Sequence, residues 1–299
     1  MARNVECTSR KFAMESLESR RMMAGVVTAW VDANMVLHLQ GDAKDNRVAI
    51  VYEGGKYTVK PTDNTVVVDK VTGAVRTQFS PFTRIVAQMG AGNDQVEIGR
   101  RGSPILNNTF ASISIDVGTG PSNNVYFSTG VSVTGNLTIT GQGSSVVYVE
   151  GAANGATKTV GGQTTIHLGD GQNRIGLKGE YGSVDIATGS GSDDVGLGGF
   201  ATHSQTPYYN NFRARTLTVF TGGGNDTLRL YNGEVADRLF ADMGGGNFDF
   251  MHLAFVKFPQ SKGNTTAHSD ARNAVVELSG IMTNYPGPER FTGFHLTTG

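Results

Sequence analysis

The chain has 299 residues, enough for one or two ordinary cores or for a single elongated repeat. With 41 glycines against 8 prolines, 38% apolar residues and 17% charged ones, it is too apolar for a disordered tract and too irregular for collagen. The 25 basic and 26 acidic residues leave a net charge of -1, so no general attraction to nucleic acid or anionic lipid is offered.

At the start, Arg3, Arg10, Lys11, Arg20 and Arg21 precede a mostly apolar run from Met22 to Val31, the order of an export signal. Val27-Thr28-Ala29 would serve as a small-residue cleavage site, and Ser19-Arg20-Arg21-Met22-Met23 partly resembles a twin-arginine signal. The segment Met14-Glu15-Ser16-Leu17-Glu18-Ser19-Arg20-Arg21-Met22-Met23-Ala24 resembles the F-E-x-L-E-x-R-x-L-L-A stretch near the start of many exported planctomycete proteins, with methionine at three hydrophobic positions. That resemblance implies export, with 1–29 as the targeting segment; a short amphipathic helix over Lys11–Met23 is the plainer alternative. Cys7 is the only cysteine and lies in this segment, so the mature chain can build no disulfide framework, zinc cluster or cysteine nucleophile. No apolar stretch approaches the roughly 20 residues of a membrane-spanning helix.

From 30 to 85, Leu37/Leu39, Val48/Ile50, Tyr57/Val59 and Val66/Val68 form loosely patterned strand-like runs, expected to be an N-terminal β cap or the first coils. A glycine turn then recurs at Gly90, Gly118, Gly141, Gly169, Gly189, Gly222 and Gly244, with spacings of 28, 23, 28, 20, 33 and 22 and a degenerate earlier copy at Gly41. Apolar residues alternate before the turns (Ile113/Ile115/Val117, Leu137/Ile139, Ile166/Leu168, Val184/Ile186, Leu217/Val219, Leu239/Ala241/Met243). They alternate again after them, at Val96/Ile98, Val147/Val149, Ile175/Leu177, Val195/Leu197 and Leu228/Leu230. Period two means strand with one buried face, and so short a two-stranded unit must stack on its neighbours to bury it. The expected fold is therefore all-β, a parallel β-solenoid (β-helix) over 86–274 with one Gly-rich turn per coil. The ends are expected to be covered by 30–85, as a cap or first coils, and by 275–299, as a C-terminal coil and cap, with eight or so coils and a core on the order of 40 Å long.

Four turns read G-x-G-x-D-x-apolar, with asparagine in one: Gly90–Val96, Gly169–Ile175, Gly189–Val195 and Gly222–Leu228. They resemble the calcium-binding nonapeptide of RTX proteins and the degenerate Gly-Asp repeats of planctomycete surface proteins. The resemblance implies calcium as a cofactor, with Asp193, Asp226, Asp249 and Asp94 as its ligands. Here one turn occurs per 20 to 33 residues, so only one edge of the stack would hold metal. Down the stack the key position reads Asp45, Asp94, Asn123, Ser145, Asn173, Asp193, Asp226 and Asp249. The competing reading is structural, an Asp/Asn ladder capping its own backbone beside glycines at positive φ.

A β-helix polysaccharide enzyme would need clustered carboxylates on one strand face. The outward positions Glu97, His167, Gly176, Asp185, Gly196, Thr218 and Arg229 form no recurring acidic cluster. His38 and His167 point outward and are expected to be solvated. The aromatic insertion 203–213 suggests partner contact through Tyr208, Tyr209, Phe212 and Arg213, or equally a loop folded over the side of the stack. The expectation is an exported, non-catalytic surface protein with a structural, adhesive or scaffold role. Its partner would be a cell-envelope component, a glycan, a protein or a second copy, with neither nucleic acid nor a membrane span involved. An RTX-like calcium module and a polysaccharide lyase or hydrolase are the alternatives.

Overall fold

The computed structural model describes residues 25–99, 108–151, 158–198, 212–258, 265–279 and 291–298. Among them every regular element is a β-strand, arranged in a 14-stranded and a 12-stranded sheet. From Arg84 onward the chain passes from the first sheet to the second and back in each circuit, with Asn108–Phe110 and Val131–Val133 as short additions to the first sheet. In the first sheet ten strands follow one another in parallel, from Val36–Gln40 through Arg84–Gln88 and Ser112–Asp116 to Phe291–Thr292. Ten more do so in the second, from Arg47–Glu53 through Gln95–Ile98 and Asn123–Phe127 to Phe294–Thr298. At a strand spacing of about 4.8 Å the stack is roughly 45 Å long.

Ten circuits exceed the expected eight because the last two, Thr265–Ser279 and Phe291–Thr298, lack the Gly-x-Gly signature; the turn between Thr265–His268 and Ala274–Ser279 contains no glycine. A boundary at 275 therefore cuts the strand Ala274–Ser279.

Alternation places the aliphatics between the sheets. In the second sheet Val48, Val96, Val125, Val147, Ile175, Val195, Leu228, Met251 and Val276 are successive register partners and all are buried. Beside them Ile50, Ile98, Phe127, Val149, Leu177, Leu197, Leu230, Leu253 and Leu278 form a second column. A core shared along its whole length explains why no single circuit needs to be stable alone.

The glycines let the turns of neighbouring circuits approach one another. A Cβ at Gly224, whose φ is +149°, would lie 1.5 Å from the carbonyl oxygen of Gly191. One at Gly118 would lie 1.5 Å from that of Gly90. Close backbone approach, as well as positive φ, thus demands glycine here.

Residues 26–79 close the first end. Val26–Val31 pairs antiparallel with Val36–Gln40, and Arg47–Glu53 pairs antiparallel with Lys56–Pro61 around the Gly54-Gly55 turn. These hairpins cover strand edges that would otherwise recruit other chains. The expected targeting boundary at 29 falls within the strand Val26–Val31, whose Val27 and Ala29 are fully buried.

Candidate functional site

The Gly-Asp turns build a polar ladder inside the corner of the stack. Asn46, Asp94, Asn123, Ser145, Asn173, Asp193, Asp226, Asp249 and Ser269 are all buried, one per circuit. Six of the nine, Asp94, Asn123, Asn173, Asp193, Asp226 and Asp249, accept a backbone N–H from the neighbouring rung. The amide of Asn46 donates to Asp94 Oδ1 (2.7 Å), Asp94 to Asn123 Oδ1 (3.0 Å), and Ser145 to Asn173 Oδ1 (3.0 Å). The series continues from Asn173 to Asp193 (2.8 Å), Asp193 to Asp226 (2.9 Å) and Asp226 to Asp249 (3.1 Å). Ser269 closes it, its hydroxyl donating to Asp249 Oδ2 at 2.5 Å. Where Ser145 is too short, the amide of Asn123 turns to the Ser144 carbonyl instead.

In the first circuit the ladder residue is Asn46, one place beyond the expected Asp45; Asp45 lies outside the ladder and accepts the Asn93 amide at 2.8 Å. The asparagines also donate. Asn123 Nδ2 reaches Gly120 O at 3.0 Å, and Asn173 Nδ2 reaches Gly169 O at 2.9 Å. Aspartates have no such hydrogen when ionised, and Oδ2 of Asp94, Asp193 and Asp226 is buried without a hydrogen-bond partner. Burial accordingly pushes the Asp94 carboxyl up to about 7 and Asp226 up to about 6, and raises Asp193 and Asp249 as well.

Calcium wants six to eight oxygens gathered at about 2.3–2.6 Å, whereas many of the oxygens here already join one circuit to the next. The turn carbonyls of Gly90, Gly118, Gly141, Gly189, Gly222 and Gly244 each accept an N–H from the next turn, and Oδ1 of each ladder aspartate accepts an amide. Among the described residues no three His, Cys, Asp or Glu side chains gather in a metal-binding arrangement.

Of the expected contact residues, Tyr208 and Tyr209 lie outside the described residues. Phe212 does not offer a surface: it begins the strand Phe212–Phe220, is fully buried and packs 5.5 Å from the Tyr181 ring. Arg213 is exposed, 4.0 Å from Glu234. His167 faces outward, 3.2 Å from Asp185. His38 departs from the solvated expectation; it stacks on Trp30 at 4.7 Å and contacts Asp32 at 3.0 Å, which lowers the Asp32 pKa.

The outer face of the second sheet carries side chains of which the sequence reading singled out only Glu97 and Arg229, as outward positions. Arg174 and Arg229 both contact Asp194, and the Tyr231 hydroxyl lies 2.8 Å from His252 Nδ1. Three circuits nearer the N-terminus, Glu97, Tyr126 and Tyr148 are successive register partners beside the column Gln95, Asn124, Val146. Together they line a shallow groove of about 200 Å³. Outward alternation in each strand was the only available signal, because the residues come from three separate circuits.

The fold and its ladder define an all-β protein of two parallel-stranded sheets whose motif residues are engaged with its own backbone. Residues 8–27 match the family model described as "Planctomycete extracellular", which supports a planctomycete-type exported protein. No curated protein and no solved structure matches the chain. No helix among the described residues is long and apolar enough to cross a membrane.

Proposed function

We propose that the chain is an exported, non-catalytic β-solenoid with a structural, adhesive or scaffold role at the cell surface. The observation that carries this reading is the inward engagement of the Gly-Asp motif. Its amides, carbonyls and carboxyl oxygens join one circuit to the next, which is the work of a fold-forming repeat rather than of a reactive centre. The match of 8–27 supports export.

Protease shaving and immunolabelling of intact producing cells test the proposal. Surface labelling and cleavage are expected. Recovery solely from the cytoplasm would sink the export reading, and product release from polysaccharides by the purified chain would sink the non-catalytic one.

A further inference from the structure

The hairpin end of the stack holds a pocket of about 440 Å³, within the size range of small-ligand sites. Tyr52, Lys56 and Tyr57 line it from the hairpin of Arg47–Glu53 and Lys56–Pro61, Phe79 and Pro81 from the chain that pairs with that hairpin, and Asn108 from the first sheet. Asn108 is the residue that the fold leaves unexplained. It shares the inward side of its strand with Phe110, is 7% exposed, and carries a carboxamide with no hydrogen-bond partner among the described residues. A buried polar group without a partner is costly, and one that lines a cavity is placed to meet a ligand. Lys56 is exposed and its ammonium has no ion pair among the described residues; Glu53, opposite it in the hairpin register, is held instead by Lys60 at 2.6 Å. The Tyr57 ring is fixed by its neighbours, 4.4 Å from Phe82 and 5.0 Å from Tyr52 between centroids. These contacts engage the rings and not the hydroxyls, which have no hydrogen-bond partner among the described residues, and Tyr52 is 43% exposed.

We infer that this pocket binds a carboxylate-bearing saccharide, a segment of a uronic acid chain. The apolar C–H face of a sugar ring suits the rings of Tyr52, Phe79 and Pro81. Its hydroxyl groups suit the Asn108 carboxamide, which both donates and accepts, and the two phenols. The Lys56 ammonium is the ionic group that the described lining contributes, and it supplies the counter-charge for a uronate carboxylate. Residues 100–107, outside the described ones, include Arg100 and Arg101 and no acid, so they bring no like charge against such a ligand. Three uncharged hydrogen-bonding groups beside one cation match a ring with several hydroxyls and one carboxylate better than an acidic peptide, whose side chains offer carboxylates alone. The inference rests on the adhesive reading and adds a ligand class to it.

The test titrates the purified full-length chain at low salt with hexagalacturonate and, as the neutral probe, with the hexasaccharide of β-1,4-linked glucose, by calorimetry up to about 10 mM. Hexagalacturonate is expected to bind with a dissociation constant of roughly 1 mM, about fivefold or more tighter than the neutral probe, and to weaken as salt is raised. Lys56→Gln should weaken it about fivefold, to the level of the neutral probe, and Asn108→Ala about tenfold, with melting temperatures close to the parent. Lys257→Gln, which removes an exposed charge on a distant circuit, should leave binding unchanged. Absence of hexagalacturonate binding, equal binding of the two probes, or undiminished binding by the Lys56→Gln variant would each overturn the inference, whether or not the Asn108→Ala variant folds. An acidic peptide partner in place of a sugar would appear as the first of these outcomes. None of them bears on where the protein resides, which surface labelling measures independently.

Discussion

Replacing Asp226 by asparagine is the most direct probe of the ladder. Asp226 is fully buried, its Oδ1 accepts the Asp193 amide at 2.9 Å, and its Oδ2 has no partner. Its pKa is raised to about 6 by burial, against a usual 3.8. The folded protein therefore binds a proton at pH values where the unfolded chain has released it. The stability associated with that proton is fully present below about pH 4 and is lost as pH rises through about 6. Roughly two pH units correspond to about 3 kcal/mol, and the rise of Asp94 to about 7 corresponds to about 4 kcal/mol, both as orders of magnitude.

Asparagine keeps the Oδ1 acceptor and adds two donors, as the native rungs Asn123 and Asn173 already do. Asp226→Asn should thus be close to neutral near pH 4 and stabilising by up to about 3 kcal/mol near pH 8. Asp226→Ala should destabilise by about 1–3 kcal/mol at either pH, because the buried Asp193 amide loses its partner. Denaturant unfolding of the parent and both variants across about pH 4–8 measures this. A parent whose stability climbs with pH over that range would refute the reasoning, as would an asparagine variant weaker than the parent near pH 8.

Three further outcomes follow from the same geometry. Gly224→Ala, which would bring a Cβ to 1.5 Å from the Gly191 carbonyl at a φ of +149°, should cost more than about 4 kcal/mol in chemical denaturation or prevent recovery of folded protein. Gly55→Ala, in an open hairpin turn with nothing near the added methyl, should cost only the backbone strain of about 1–2 kcal/mol. Because the turn carbonyls and Oδ1 of each ladder aspartate already accept amides, adding millimolar calcium or a chelator should leave the melting temperature unchanged in differential scanning calorimetry. A calcium-dependent rise of several degrees would restore the RTX-like alternative.

Much of the architecture was legible in the chain itself. Pairs such as Ile175/Leu177 and Val195/Leu197, repeated on either side of a glycine bend, prescribe stacked strands because period-two apolarity has one dry face and each unit is too small to bury it alone. The position of the ladder aspartates relative to those bends was also local information. The two terminal circuits were hidden because Ser269-Asp270-Ala271-Arg272-Asn273 turns without glycine, and the cap was legible only as scattered strands.

What the tertiary structure decided were relations between residues distant in sequence. Whether a carbonyl such as Gly222 O faces a cation or the next turn's amide depends on how closely two circuits stack, and they stack closely enough for the amide. Whether Asn46 or Asp45 enters the ladder depends on pairing with Asp94, 48 residues away from Asn46. Tyr126, Tyr148 and Asn124 became neighbours of Glu97 through inter-strand register alone. Composition and periodicity encode which face of a strand is dry; only the register between strands brings particular side chains to a common place.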